Sequence, residues 1–247
     1  MKQYEAVLLT MEKLGGIATL GQLNQEVMKI SDCEWKTKTP FASIRRIVQQ
    51  TNGIYKIKPG LWALESHRKD LESKGFLVET EKNINSKELQ DFNHAYYQGL
   101  LLSIGNMRKY KTFVPNQDKN KLYVNQKLGE IRTLQELPIF SYENFIQRVS
   151  TVDVIWFNER NMPHSLFEVE HSTDIQNSLL KFNDLTDFHT RMIIVADKVR
   201  KSEYEKKIKY SSFFDLAEEK RVQFLSYETL EKQYNQEIEK QSFETVL

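Results

Sequence analysis

Val152-Asp153-Val154-Ile155-Trp156-Phe157 is followed, after the polar turn Asn158-Glu159-Arg160-Asn161-Met162-Pro163, by Phe167-Glu168-Val169-Glu170-His171-Ser172-Thr173. The first apolar run carries one acid, and the second carries two acids spaced two residues apart. Side chains alternate between faces along a strand, so Glu168 and Glu170 share a face. The short connection predicts antiparallel neighbours, and its length allows a register that brings Asp153 opposite the two glutamates. An unpaired carboxylate taken out of water loses several kcal/mol of hydration. Three of them in apolar strands therefore imply a cationic partner. Arg148 and Arg191 are nearby cations for an ordinary ion-pair network, and a divalent metal is the leading alternative. Mg²⁺, with Mn²⁺ as a substitute, takes hard oxygen ligands and commonly one or two carboxylates beside phosphate and water. Asp153 and Glu168 are the candidate ligands. Such an ion polarises a scissile phosphate and helps ionise the attacking water, so the expected chemistry is phosphodiester cleavage.

Outward from this pair, the periodicity predicts a helix at about Asp174–Asp187, with Thr173 and Gln176 as a capping box. A buried-type strand follows at Met192–Ala196, then a charged helix from Lys201 to about Tyr210, a strand at Val222–Leu225 and a polar C-terminal helix. Upstream, Leu89, Phe92, Tyr96, Leu100 and Ile104 line one side of a long helix from Ser86 to about Arg108. A strand near Lys111–Val114, a polar loop over 115–121, an extended piece at Leu122–Val124 and a short helix at Tyr142–Arg148 complete this half. The mixture predicts an α/β sheet domain with helices on both faces.

An acid on one strand, Glu-x-Glu on the next and a helix after them resemble the PD-(D/E)xK nuclease superfamily. The longer string Phe167-Glu168-Val169-Glu170-His171-Ser172-Thr173, continuing to Leu179-Leu180-Lys181-Phe182-Asn183-Asp184-Leu185, is similar to a group of bacterial restriction-type nucleases with a "FEVEHST" signature, over about residues 90–230. The resemblance implies a restriction-endonuclease-like mixed sheet flanked by helices, with Asp153, Glu168 and Glu170 in the active site. Glu170 stands where a lysine is usual in the superfamily. Some members carry Glu-x-Glu, and others move the basic residue to the following helix. Lys181, about two turns into that helix and leaning back toward its N-terminus, has the reach for that role. The resemblance also places a Glu or Gln of the first helix near the metal, and Gln98 is the match. His164 and His171 are read as hydrogen-bonding residues rather than ligands.

The first 65 residues have a different character. Val7, Leu8, Met11 and Leu14 have helical spacing, stopped by Gly15-Gly16. Thr19 caps a second helix bearing Leu23, Val27 and Ile30. Thr39-Pro40 opens a third, since proline is favoured in the first helical turn. Ile54–Ile57 and Leu61–Leu64, around Lys58-Pro59-Gly60, form a hairpin. Thr39-Pro40-Phe41-Ala42-Ser43-Ile44-Arg45-Arg46 with Ile54–Leu64 resembles the HARE-HTH winged helix, a family that occurs in restriction endonucleases. In that reading the third helix enters a DNA major groove. Ser43, Arg46 and Gln50 lie near bases, Gln49 is exposed beside them, and Arg45 with the wing residues Lys56 and Lys58 faces phosphate. A protein-docking or dimerising role is the alternative. Phe41, Tyr55 and Trp62 are expected in the core.

The organisation expected is α+β or α/β: a winged helix over residues 1–66, a polar linker over 67–85 and a nuclease-like domain over 86–247. The 247 residues suffice for one large domain or two smaller ones. Charge is divided unevenly, with 11 Lys and Arg against 7 Asp and Glu in residues 1–70, and 24 against 27 in the remainder. A basic module joined to an acidic one suits a DNA reader attached to a metal-binding unit. Single Cys33 excludes a disulfide framework within the chain and a cysteine-based zinc site. No apolar run approaches the roughly 18 residues that span a bilayer, and Met1-Lys2-Gln3-Tyr4-Glu5 has no signal-peptide pattern. A reducing cytoplasm, no membrane, double-stranded DNA as substrate and a homodimer are the expectations. A cognate DNA methyltransferase is a further expected functional partner.

Overall fold

The computed structural model describes residues 1–36 and 39–244. In chain order the elements begin with α1 (Gln3–Lys13), β1 (Ile17–Thr19), α2 (Leu20–Val27), α3 (Pro40–Gln50), β2 (Ile54–Lys58), β3 (Leu61–Leu64) and α4 (Arg68–Ser73). Then come α5 (Lys87–Met107), β4 (Lys111–Phe113), β5 (Leu122–Tyr123), β6 (Gln126–Lys127), α6 (Leu128–Ile131) and α7 (Glu143–Val149). The remainder is β7 (Val154–Phe157), β8 (Pro163–Glu170), α8 (Ile175–Asn183), β9 (Arg191–Ala196), α9 (Lys201–Lys207), α10 (Phe214–Glu218), β10 (Val222–Ser226) and α11 (Tyr227–Glu244). These fall into two units, Met1–Phe92 with the chain from Gln233 onward, and Asn93–Lys232, so the division runs within α5 and within α11.

In the first unit α1 stops where Gly15 and Gly16 take left-handed backbone, at φ +82° and +81°. Thr19 caps α2 by accepting from the Gln22 amide at 3.1 Å, as its position predicts. Pro40 opens α3. The hairpin β2–β3 forms as expected, with an irregularity between Lys56 and Lys58. β1 joins its other edge to give the order β1-β3-β2. That third strand has no signature in the sequence, because three residues are too few to display an alternation. Ala6, Val7, Met11, Leu23, Val27, Ile44 and Val48 form the core, with Phe41 and Trp62 packed against it. The expected polar connector is partly helical, with α4 burying Leu71, and its apolar Phe76 packs, meeting the Phe92 ring at 5.5 Å between centroids. From α11, Tyr234 and Ile238 pack against Gly21 of α2, where a Cβ would lie 2.2 Å from Ile238.

The second unit is built on a five-stranded mixed sheet, order β10-β9-β8-β7-β4. β8, β9 and β10 are parallel, and β7 and β4 are antiparallel to their neighbours. β7 and β8 are buried on both faces. Ile155, Phe157 and Leu166 join Leu179 and Phe182 of α8 in one cluster with Met192, Ile194 and Phe213. Trp156, on the other face, donates its indole N–H to the Leu101 carbonyl of α5 at 3.1 Å. The covered sheet agrees with the α/β reading, while several local expectations are corrected. α8 starts at Ile175 under an Asp174 cap, whose side chain accepts from the Gln176 amide at 2.8 Å. Thr173 is therefore not the cap. α8 also ends at Asn183 and α9 at Lys207, short of the expected Asp187 and Tyr210.

Phe182 is fully buried in the cluster beneath the sheet. Phe182→Ala is expected to lower the free energy of unfolding by about 3–5 kcal/mol, measured by urea denaturation. A loss below about 1 kcal/mol would place Phe182 outside the cooperative core.

Candidate active site

Alternation along β8 turns Glu168 and Glu170 to the face that α8 covers. One helical turn of α8 presents Ser178 and Lys181 to them. The Lys181 ammonium lies 3.0 and 2.8 Å from the two oxygens of Glu168 and 3.0 Å from the Thr151 carbonyl. The Ser178 hydroxyl donates to Glu170 and lies 3.2 Å from Glu168 Oε2. Thr173 donates its hydroxyl to the other oxygen of Glu170. The Glu168 side chain is only 3% exposed. Its burial, and the charges of Asp153 and Glu170, hold its carboxyl well above the usual carboxylate range despite Lys181.

Asp153 stands immediately before β7 rather than within it. The pairing of Val154 with Phe167 nevertheless continues to place it opposite Glu168, in the register that the loop length allows. Its Oδ2 accepts from the Val169 amide at 2.7 Å, and its Oδ1 lies 3.4 Å from His94 Nε2. Burial pushes the Asp153 carboxyl up. His94, the Val169 N–H and Lys181 together outweigh that effect, and the net shift is downward. For His94 burial alone would depress the imidazole, but Asp153 pulls it above its ordinary value.

α5 places His94 and Gln98 one turn apart. Gln98 is fully buried, and its Nε2 donates to Asp118 Oδ2 at 2.9 Å and to the Asp153 carbonyl at 3.2 Å. The other oxygen of Asp118 lies 2.7 Å from Lys121. Asp153 thus links two groups: Glu168, Glu170, Ser178 and Lys181 on the α8 side, and His94, Gln98 and Asp118 on the α5 side.

All five sequence-predicted residues, Asp153, Glu168, Glu170, Lys181 and Gln98, belong to this assembly. The arginines considered as partners do not. Arg148 pairs with Asp184, and Arg191 opens β9 opposite Ser165, at the far end of the strand from the carboxylates. His94 and Asp118 were missed. The four-residue spacing of His94 and Gln98 on a helix was a usable signal, whereas Asp118 sits in a loop without periodicity. Of the histidines set aside, His171 lies 3.4 Å from Asn93 Nδ2, and His164 lies 3.2 Å from the Tyr110 hydroxyl.

The donor set fits a divalent cation. Asp153, Glu168 and Glu170 bring three carboxyl groups into a buried region against the ammonium of Lys181 and the imidazole of His94. Burial first, and then the charges of Asp153 and Glu170, raise the Glu168 carboxyl even beside Lys181. Hard oxygen donors at that density suit Mg²⁺ or Mn²⁺.

In the first unit, Arg45, Arg46, Gln49 and Gln50 are exposed along α3, with Ser43 half-buried, and Lys56 is exposed on β2. Lys58 is half-buried, with its ammonium over the Phe92 ring at 5.5 Å from the centroid. No helix among the described residues is long and apolar enough to cross a membrane.

Residues 77–246 match the family model described as the type II restriction enzyme NmeDI C-terminal domain. Over 152 residues the chain is 25% identical to the type II restriction enzyme NmeDI of Neisseria meningitidis serogroup C. That alignment covers 58% of this chain, which spans 42% of the relative's length. No solved structure matches the chain.

Proposed function

The chain belongs to the family of the type II restriction enzyme NmeDI C-terminal domain, and on that premise we propose that it is a Mg²⁺-dependent DNA endonuclease of a bacterial restriction or defence system. The observation that carries this reading is the meeting of Asp153, Glu168 and Lys181 at one end of the sheet, from the residue before β7, from β8 and from α8. Asp153 and Glu168 would hold the ion, with Mn²⁺ as a substitute. When bound, the ion supplies Lewis-acid activation of the scissile phosphate and of the attacking water. Lys181 takes the role of the usual strand lysine: its ammonium, fixed by Glu168 and the Thr151 carbonyl, positions that water. Glu170 is less available, because Ser178 and Thr173 occupy its two oxygens. Gln98 orients the centre through the Asp153 carbonyl and Asp118.

The test is Mg²⁺-dependent cleavage of methylated and unmethylated genomic DNA, with single-stranded DNA alongside and Asp153→Ala as control. Cleavage of duplex DNA by the wild-type chain alone supports the reading. No cleavage of any substrate, with no metal bound, would instead make the chain a DNA-binding regulator. Duplex cleavage by one protein requires two centres, so a homodimer belongs to the proposal, as does a cognate methyltransferase.

The first unit is proposed as a winged helix that reads the target, followed by a connector and the nuclease unit. The order helix, strand, helix, helix, hairpin supports this, as does the row of exposed Arg45, Arg46, Gln49 and Gln50. Arg46→Ala is expected to cost about 1–3 kcal/mol of duplex affinity and to relax base preference at one position. Fluorescence anisotropy on duplexes selected by the wild-type chain measures it. Unchanged affinity would assign the unit to protein docking.

A further inference from the structure

The helix α7 supplies no side chain to the carboxylate assembly, yet it carries a polar row beside it. Asn144, Gln147 and Arg148 stand three and four residues apart, and Thr151 follows just beyond the helix end, so the four lie on one side. With Phe145 and, from the end of α8, Asp184, they line a cavity of about 530 Å³. Asn144, Gln147, Thr151 and Asp184 are exposed. The Arg148 guanidinium pairs with the Asp184 carboxylate, which sets a donor fork beside an acceptor with their charges balanced. Gln147 Nε2 donates to Glu143 at 3.2 Å, and the Thr151 hydroxyl donates to the Arg148 carbonyl at 2.8 Å. Thr151 also joins the row to the centre: its own carbonyl accepts from the Lys181 ammonium at 3.0 Å, and Asp153 is two residues further on.

We propose that α7 and Asp184 form a base-reading site next to the cut, in which Arg148 and Asp184 together recognise one G·C pair from the major groove and Gln147 and Asn144 read the pairs beside it. A G·C pair presents the guanine N7 and O6 acceptors next to the cytosine N4 donor, and arginine beside a carboxylate complements that edge. Asparagine and glutamine match adenine in the same groove. A phosphate is the poorer ligand here, because it would meet the Asp184 carboxylate as well as the guanidinium. The row is also of a suitable length: Asn144 and Thr151 are seven residues apart, about 10 Å at helical rise, which matches about three base-pair steps. The inference rests on the reading of the chain as a duplex-DNA endonuclease, and it divides base recognition between the first unit and the nuclease unit itself.

The experiment cuts genomic DNA with the full chain and Mg²⁺ and sequences the ends, with circular dichroism to establish folding. Wild type is expected to prefer a G·C pair at one fixed position from the cut. Arg148→Ala and Asp184→Ala should each weaken that preference by about tenfold, at the same position, and leave the other positions unchanged. Gln147→Ala should relax a neighbouring position instead. Its side chain is exposed, so it keeps the proposal testable if the paired residues prove necessary for folding. Arg46→Ala, in the first unit, should act at a position different from all of these. Wild-type cleavage with base preferences that none of the three variants at the cavity alters overturns this inference alone. So does a uniform loss of cutting at every sequence, which would make α7 a backbone contact. A wild-type chain that cuts no DNA overturns it together with the nuclease reading.

Discussion

Asp153→Asn is expected to slow Mg²⁺-dependent cleavage of duplex DNA by about a thousandfold or more, with little change in stability. Asparagine has the shape of aspartate, and its amide oxygen can still accept from the Val169 N–H, which Asp153 Oδ2 now holds at 2.7 Å. The pairing of β7 with β8 therefore survives. What disappears is the negative charge at the point where the α5 and α8 groups meet. A metal acting as Lewis acid contributes several kcal/mol of transition-state stabilisation, and each 1.36 kcal/mol is about tenfold in rate. Single-turnover cleavage with thermal melting separates the two readouts. A rate within about tenfold of wild type, at saturating Mg²⁺, would remove Asp153 from the ion and with it the proposed mechanism.

Lys181→Met should affect both stability and rate, and for separable reasons. The methionine keeps much of the aliphatic stem but leaves the buried Glu168 carboxyl with Ser178 as its remaining neighbour. Breaking a buried pair from one side costs about 3–5 kcal/mol in general. Here Lys181 is 24% exposed, so solvent offsets part of that cost and about 2 kcal/mol is expected. Adding Glu168→Gln removes the stranded charge and should recover most of that stability. On the proposed role of Lys181 in positioning the water, cleavage should fall by about a hundredfold or more in the single variant and stay low in the double. Urea denaturation of the two variants decides the first point. A double variant no more stable than Lys181→Met would show that the ammonium does not serve to neutralise Glu168.

Much of the nuclease-like unit was legible because its signals are local and periodic. Alternation in β8 put Glu168 and Glu170 on one face, the short turn after β7 made the two strands antiparallel neighbours and allowed the register opposite Asp153, and helical rise gave Lys181 its reach. Cap choice was not legible: Thr173 and Asp174 are both competent, and the carboxylate of Glu170 engages the Thr173 hydroxyl, which leaves Asp174 to hold the Gln176 amide. β1 escaped notice because it gains its partner, β3, from a distance of more than forty residues.

By itself, then, the sequence determined which strands carry acid, which helix returns a cation to them and that a separate basic module precedes them. These follow from periods of two and 3.6 residues acting over short stretches. Only the tertiary structure decided that Asp153 joins two groups, that Glu170 is held by hydroxyls, and that Asp118 and His94 stand beside Gln98. Those contacts depend on how a loop and a helix distant in sequence meet the end of the sheet, and no local spacing records that meeting.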